Sequence, residues 1–401
     1  MKSTKILIIL LIICFIVFFI SNIKTINTID DYAFVIALGI DSSESGLINL
    51  SLQIAIPTSG SEESSNSQSS SSIVNTIQCE TIDSGINQFN SYLNKSLNFS
   101  YCKAVVFSEE YAQKGIGDEI STFMNNIEIR PSCNIVICEN TAKNYLEKSN
   151  PLLEKLSSKY YEIEKSSEKN TGFTQCTTII EFYNNLFSSK SEPYAILSKI
   201  EEPKNEEKNN SKESSDQEIK TNDSTSKIVS NGLAVFKNDK YIGNLTPEEN
   251  VIHLILTNNL NHTIINIPSP FESNNFIALD ISKTHTKSKI DFYNNTSYIK
   301  SKINLNCKIL SSSQKINYMD NENVKKIEDF SNKYFSYICG NYLKKVSHDF
   351  NSDIDHFGEI ASRKYLDNNN WNKNNWLENF KTCKFSIDVN THVKSSYLVL
   401  N

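Results

Sequence analysis

The chain has 401 residues, enough for two ordinary domains with a core in each, and its 39% hydrophobic content and net charge of -6 describe an ordinary soluble body. An acidic balance with no basic patch interleaved with aromatics argues against a nucleic-acid partner. Only 11 glycines occur, and no G-x-S-x-G, H-E-x-x-H or glycine-rich phosphate loop is present, which argues against an enzyme built on those motifs.

The N-terminus carries Lys2 and Lys5, then runs uncharged from Ile6 through Ile23. A positive start before an apolar run is the pattern of an export signal, and the run just reaches the roughly 17–25 residues of a membrane span. The lysines favour a cytoplasmic start, which puts the body outside. Cys14 is no lipid-attachment site, because Ile13 precedes it and Phe15 to Phe19 continue the apolar run. No A-x-A-like cleavage site follows, so residues 1–28 read as an uncleaved anchor.

From Asp31 to Pro57 the pattern is a hairpin, with a continuous apolar strand at 33–38, turn chemistry at 41–46, and alternation from Ile48 to Ile56. The serine-rich stretch 58–72 is too polar to pack. A strand over 73–80 precedes an amphipathic helix marked by Ile82, Ile86, Phe89, Leu93 and Leu97. Next come a strand at 104–107, a helix from Ile116 to Ile127 ending near Arg130-Pro131, a strand at 133–138, and a helix through Ala142, Tyr145 and Leu146. This order predicts a mixed α/β first domain over 29–200.

Residues 201–227, EEPKNEEKNNSKESSDQEIKTNDSTSK, hold almost nothing apolar and read as a disordered linker. A second domain, 228–401, opens on a hairpin around Asn238-Asp239. Thr246-Pro247-Glu248-Glu249 then supplies an N-cap, a first-turn proline and a capping-box glutamate. Strands at 276–282, 289–293 and 301–310 predict an antiparallel meander with a turn at Asn294-Asn295. A long helix from Val324 to Val346, broken at 349–353, resumes over 354–364, and a last strand spans 384–389. The fold class is therefore α+β.

The eight cysteines beyond Cys14 form no C-x-x-C pair and read as small buried hydrophobes. Asp349, Asn351, Asp353 and Asp355 mimic the start of a calcium loop, but Ile354 stands where the loop needs glycine. No metal or cofactor is expected.

Four stretches in order resemble the C subunit family of bacterial spore germinant receptors, Ger(x)C. They are TIDDYAFVIALGID, then Glu128-Ile129-Arg130 with the ENTAKNYL helix. NGLAVFKNDKYIGNLTPEE follows, and finally SHDFNSDIDHFGEIASRKY with Trp371 and NWLENF. Where most members resemble lipoproteins, with a cysteine just before the acidic pair, this chain has Asn22-Ile23-Lys24-Thr25.

The resemblance implies a non-enzymatic subunit in the spore inner membrane, its body on the extracytoplasmic side, beside two multi-spanning subunits. It would act in assembly or in coupling nutrient sensing to ion release. Asp30, Asp31, Arg130, Trp371 and Trp376 are the candidates for contact with partners. Burial of the tryptophans and a structural ion pair for Arg130 are the plainer readings. The alternative function is a membrane-tethered extracytoplasmic solute-binding protein, which needs two similar lobes about a polar cleft.

Overall fold

The computed structural model describes residues 28–56, 71–126, 128–149, 156–201, 227–294, 296–314, 317 and 320–394, together with residues 6, 11–13 and 15, which are helical. Cys14, most of the serine-rich stretch, residues 202–226 and Asn295 lie outside the described residues, as does most of the expected anchor. Among the described residues no helix is long and apolar enough to cross a membrane.

The first sheet begins with the expected hairpin, β1 (Tyr32–Ser42) and β2 (Ile48–Ala55), with β3 (Ser72–Cys79) antiparallel on its outer edge. A short β4 (Ser96–Asn98) lies parallel to the start of β1. On the other side of β1 come β5 (Ala104–Ser108), β6 (Asn134–Cys138) and β7 (Tyr194–Glu201), all parallel.

Side chains alternate between two apolar layers, as the two-residue period of a strand requires. Val105, Phe107, Ile135 and Ile137 join one layer, and Ala104, Val106, Val136 and Cys138 the other. The first layer is covered by α1 (Ile82–Tyr92), α2 (Glu109–Lys114), α3 (Gly117–Asn125) and α6 (Ile179–Leu186). The second is covered by α4 (Ala142–Lys148) and α5 (Ser158–Thr171). The sequence reading stops at α4 and misses α5, α6 and β7. In α5 the polar run SKYYEIEKSSEKNT hides its periodicity, although Tyr161 is fully buried. The short apolar run of β7 cannot be told from a helix segment by period alone.

The hairpin expected to open the second half forms as β8 (Lys227–Lys237) and β9 (Lys240–Leu245), but it extends the first sheet instead. β8 runs antiparallel to β7 from Tyr194↔Val235 to Glu201↔Lys227. This gives nine strands in the order β3-β2-β1-β5-β6-β7-β8-β9, with β4 on β1. The reason is packing on both faces: Ala234 and Phe236 enter the first core, while Leu233 and Val235 enter the second.

The second sheet runs β10 (Thr263–Pro268), β11 (Phe276–Tyr293), β12 (Thr296–Ser312), β13 (Lys384–Lys394). The two strands expected at 276–282 and 289–293 are one, because the polar residues between them lie in register with β12, and a bulge between Ile281 and Lys283 resets the alternation. The sheet is also not purely antiparallel. β13 pairs parallel with β12, and the helical crossover between them supplies the long connection that a parallel pair needs.

Two helices close this core. α7 (Pro247–Thr257), whose Thr246/Glu249 capping box forms as read, is buried almost all round between the sheets, and α8 (Asn321–Lys344) lies along β13. A single π turn, 345–349, follows α8. The short helices α9 (Phe357–Ser362), α10 (Asn368–Asn372) and α11 (Trp376–Asn379) fill the crossover.

Gly232 in β8 has φ +99°, and a Cβ there would lie 2.0 Å from the Leu245 carbonyl oxygen. Gly232→Ala should lower stability in urea unfolding by roughly 2–4 kcal/mol, since backbone must move. Gly46→Ala, at φ +78° with nothing within 4 Å, should cost only about 1 kcal/mol.

Candidate functional site

The motif residues meet at the joint between the two sheets. The Asp353 carboxylate is fully buried and accepts from Phe357 N (3.1 Å), Gly358 N (2.7 Å) and the Trp376 indole (2.7 Å). Its own carbonyl accepts from Glu192 N at 3.0 Å. Glu192, buried in the loop before β7, pairs with Lys237 at 2.8 Å and accepts from Asn238 N at 2.7 Å. Lys237 also donates to the carbonyls of Asn351 and Leu377. Ser352 donates to the Phe236 carbonyl. The β8–β9 turn is thus held to the α8–α9 connection by polar contacts from four segments.

A second buried cluster lies beside it. His253 of α7 puts Nδ1 2.8 Å from the Asp355 carboxylate, which also accepts from the Tyr342 hydroxyl of α8 at 2.9 Å. The sequence signal for it was a lone histidine within the apolar run VIHLIL. His253 Nε2 and Asp355 Oδ2, also buried, have no hydrogen-bond partner among the described residues, so the cluster is only partly satisfied.

Burial drives the ionisation of these groups. The Asp353 carboxyl is pushed up to about 7 by desolvation, against the lowering effect of its donors, chiefly the Trp376 indole. Glu192 is likewise raised by burial, partly offset by Lys237. Tyr342 is raised by burial and by the adjacent Asp355 charge.

Trp371 and Trp376, candidates for an exposed contact surface, are only 2% and 3% accessible. Their rings lie 5.9 Å apart, Trp376 packs against Phe380 with the rings tilted by 47°, and the Trp371 indole donates to Ser189. They are core, because the asparagines around them form caps and turns while the indoles face inward. Arg130 is exposed, and among the described residues no carboxylate forms the expected ion pair with it. Asp31 is exposed and accepts from the Thr28 N–H and hydroxyl (2.6 and 3.0 Å), starting the turn before β1; Asp30 is exposed beside it. Among the described residues no group of three or more His, Cys, Asp or Glu side chains could hold a metal. The described cysteines are buried except for the half-buried Cys176.

The first two motifs meet at the other end of the first sheet. Gly39 lets α4 approach, since a Cβ would stand 3.0 Å from Leu146 and 3.1 Å from Ala142. Asp41 accepts from Ala142 N (2.7 Å) and Lys143 N (3.0 Å), capping that helix. Above Asp41 a polar crevice of about 360 Å³ opens between Ser42, Ser108, Glu110, Glu139 and Asn144. It lies at the carboxyl ends of β1, β5 and β6, where parallel sheets place ligands. Of its acidic lining, Glu110 is paired with Lys114 at 2.9 Å, and that lysine also donates to Ser42.

An α/β sheet and a helix-backed second sheet, clamped by buried polar contacts, define a two-part scaffold. Residues 26–202 match the family model described as spore germination protein N-terminal domain, and 231–397 the one described as spore germination B3/GerAC like, C-terminal. The chain belongs to the Ger(x)C family of spore germinant receptor C subunits. It is 21% identical over 301 residues to the spore germination protein GerQC of Bacillus cereus, covering 75% of this chain and 76% of that one. Its fold is similar to the crystal structure of the GerBC protein, with TM-score 0.51 and 15% identity over 89% of this chain and 96% of that chain.

Asp353 gives the joint a pH signature. Its folded pKa is about 7 against 3.8 for the free group, so the folded state binds the extra proton. Its contribution to stability is therefore present below about 4 and lost as pH rises toward 7. Urea midpoints of the wild type should fall across that window relative to Asp353→Asn, which carries no titrating proton there. Parallel curves would show that Asp353 titrates normally.

Proposed function

We propose that this chain is a membrane-anchored, non-enzymatic subunit of a germinant receptor. It sits in the spore inner membrane with its body on the extracytoplasmic side, beside two multi-spanning subunits. Family membership carries the role in germination. The observation behind a scaffold or coupling role is the shared wall β7–β8–β9, which feeds both cores and joins the halves into one body. A clamshell binding protein needs two lobes free to close on a ligand, and this wall removes that freedom. Lys2, Lys5 and the uncharged run to Ile23 support the anchor and its orientation. The segments 29–200 and 228–401 are proposed as the two evolutionary units, although the first sheet draws strands from both.

Spores lacking this chain should lose dipicolinic acid release in response to a subset of amino acids, sugars or nucleosides. Release by a chemical agent that bypasses the receptors should remain. Normal germination with every nutrient, in a strain with no paralogous receptor, would overturn the proposal.

The crevice above Asp41 favours one second reading, a tethered solute-binding protein. On that reading the isolated chain binds a germinant amine, and Glu139→Gln weakens binding about tenfold or more by removing one charge-assisted hydrogen bond. Calorimetry without detectable heat across the same nutrient panel would leave the scaffold reading alone.

A further inference from the structure

We propose that the solvent-facing side of the second sheet is a seat for anionic phospholipid headgroups. The inference rests on the membrane-anchored reading above. The inner side of β11 and β12 carries Ile290, Ile299 and Ile303 into the core, so the alternate residues point outward. On that outer side Lys287 is directly opposite Lys302, and Lys289 directly opposite Lys300. At the next strand boundary Lys308 is opposite Lys394.

Like charges placed directly across a ladder are destabilising. Lys302 also faces Asp388 of β13 and Lys308 also faces Asp280 of β11, whereas Lys287, Lys289 and Lys300 face no carboxylate across the ladder, so this part of the face keeps an excess of positive charge that a further anion would neutralise. Among the described residues no carboxylate ion-pairs with Lys287, Lys289, Lys300 or Lys302. Asp291, the nearest acid along β11, is already held by Lys364 at 2.7 Å. A shallow groove of about 570 Å³ runs between these four lysines, lined also by His285 and by Asp388, which lies directly opposite Lys302.

The chemistry favours lipid over protein. Lysine is depleted in protein–protein interfaces, whose centres need buried aromatic or arginine anchors. This face has none at its centre. Its aromatics, Tyr293 and Tyr298, pack against each other at the β11–β12 tip, with Tyr293 66% exposed. Tyrosine at the margin and lysine across a flat surface match the interfacial zone of an anionic membrane. Each lysine near such a surface contributes about 1 kcal/mol, equivalent to about fivefold in affinity.

The test uses the full chain mixed with vesicles of phosphatidylcholine alone and with vesicles that also contain phosphatidylglycerol. Flotation reports binding, and amine labelling read by mass spectrometry reports which lysines are covered. The expected result is flotation with both lipids, from the N-terminal run. Labelling of Lys287, Lys289, Lys300 and Lys302 should fall about fivefold on the anionic vesicles only, and raised salt should restore it. Lys300→Gln with Lys302→Gln should cut the anionic increment in binding about 25-fold at unchanged binding to neutral vesicles. That variant removes the repulsion with Lys287 and Lys289 together with the attraction of Lys302 to Asp388, so it should fold about as stably as the parent.

Flotation with both lipids but equal labelling would overturn the lipid seat and leave the anchor standing. No flotation with either lipid would overturn both. Protection by inorganic phosphate or citrate alone, with no further change on vesicles, would replace the seat with a small-anion site. Protection in neutral lipid only when the multi-spanning subunits are present would replace it with a protein contact.

Discussion

Strand β8 has no face to give to solvent at its centre, and the rest of the molecule is arranged around that constraint. Leu233 and Val235 point into the core of the second half and Ala234 and Phe236 into that of the first. A two-residue period makes this unavoidable once both faces are covered. The strand must then pair on both edges, with β7 on one side and β9 on the other. Burying both faces also brings the hairpin turn under the α8–α9 connection. There the backbone and the charges of Lys237 and Glu192 need partners in a dry environment. The polar clamp around Asp353 supplies them, so it follows from the way the apolar strand is buried.

This accounts for the residues that carry the family resemblance. Gly39, Asp41, Gly358, Asp353 and Trp376 look from their chemistry like site residues, yet each resolves a local packing problem. Gly358 is needed because a Cβ would stand 2.1 Å from the Lys190 carbonyl oxygen. Asp353 terminates the backbone N–H groups at the start of α9, and Trp376 both donates to it and fills the space beside Phe380.

Local features were legible in the sequence, and non-local ones were not. The β1–β2 hairpin is announced by a continuous apolar run, a polar turn and then alternation. The Thr246 cap is announced by four consecutive residues. By contrast, no local pattern says that residues 227–245 join a sheet begun at Tyr32, because the decision belongs to the unpaired edge of β7. The inward facing of Trp371 and Trp376 is equally hidden, since their neighbours are asparagines whose role is to cap and turn. His253, Asp355 and Tyr342 lie far apart in the chain, and only the placement of α7 between the sheets brings them together. Only strand register turns the lysines of β11 and β12 into opposed pairs.

The two ends of the first sheet make different demands on the same hydrogen-bonded body. At the carboxyl ends of β1, β5 and β6 the floor of the crevice is Asp41, whose contacts fix the first turn of α4. At the far edge β7, β8 and β9 form the wall shared with the second core. A sheet whose faces are both close-packed does not yield locally, because interior packing tolerates little change in volume. A shift at the crevice therefore has to be taken up by rigid displacement of the sheet against α7 and the second half, or not at all. For a subunit proposed to sit between sensing and release, such stiffness is useful: it passes a small displacement on to its neighbours. The same stiffness explains why the clamp contains so many charges. Apolar contacts alone would allow sliding between the halves. Glu192 and Lys237 fix one register, because any other leaves a buried charge without its partner, and Asp353 would lose the three donors that hold it.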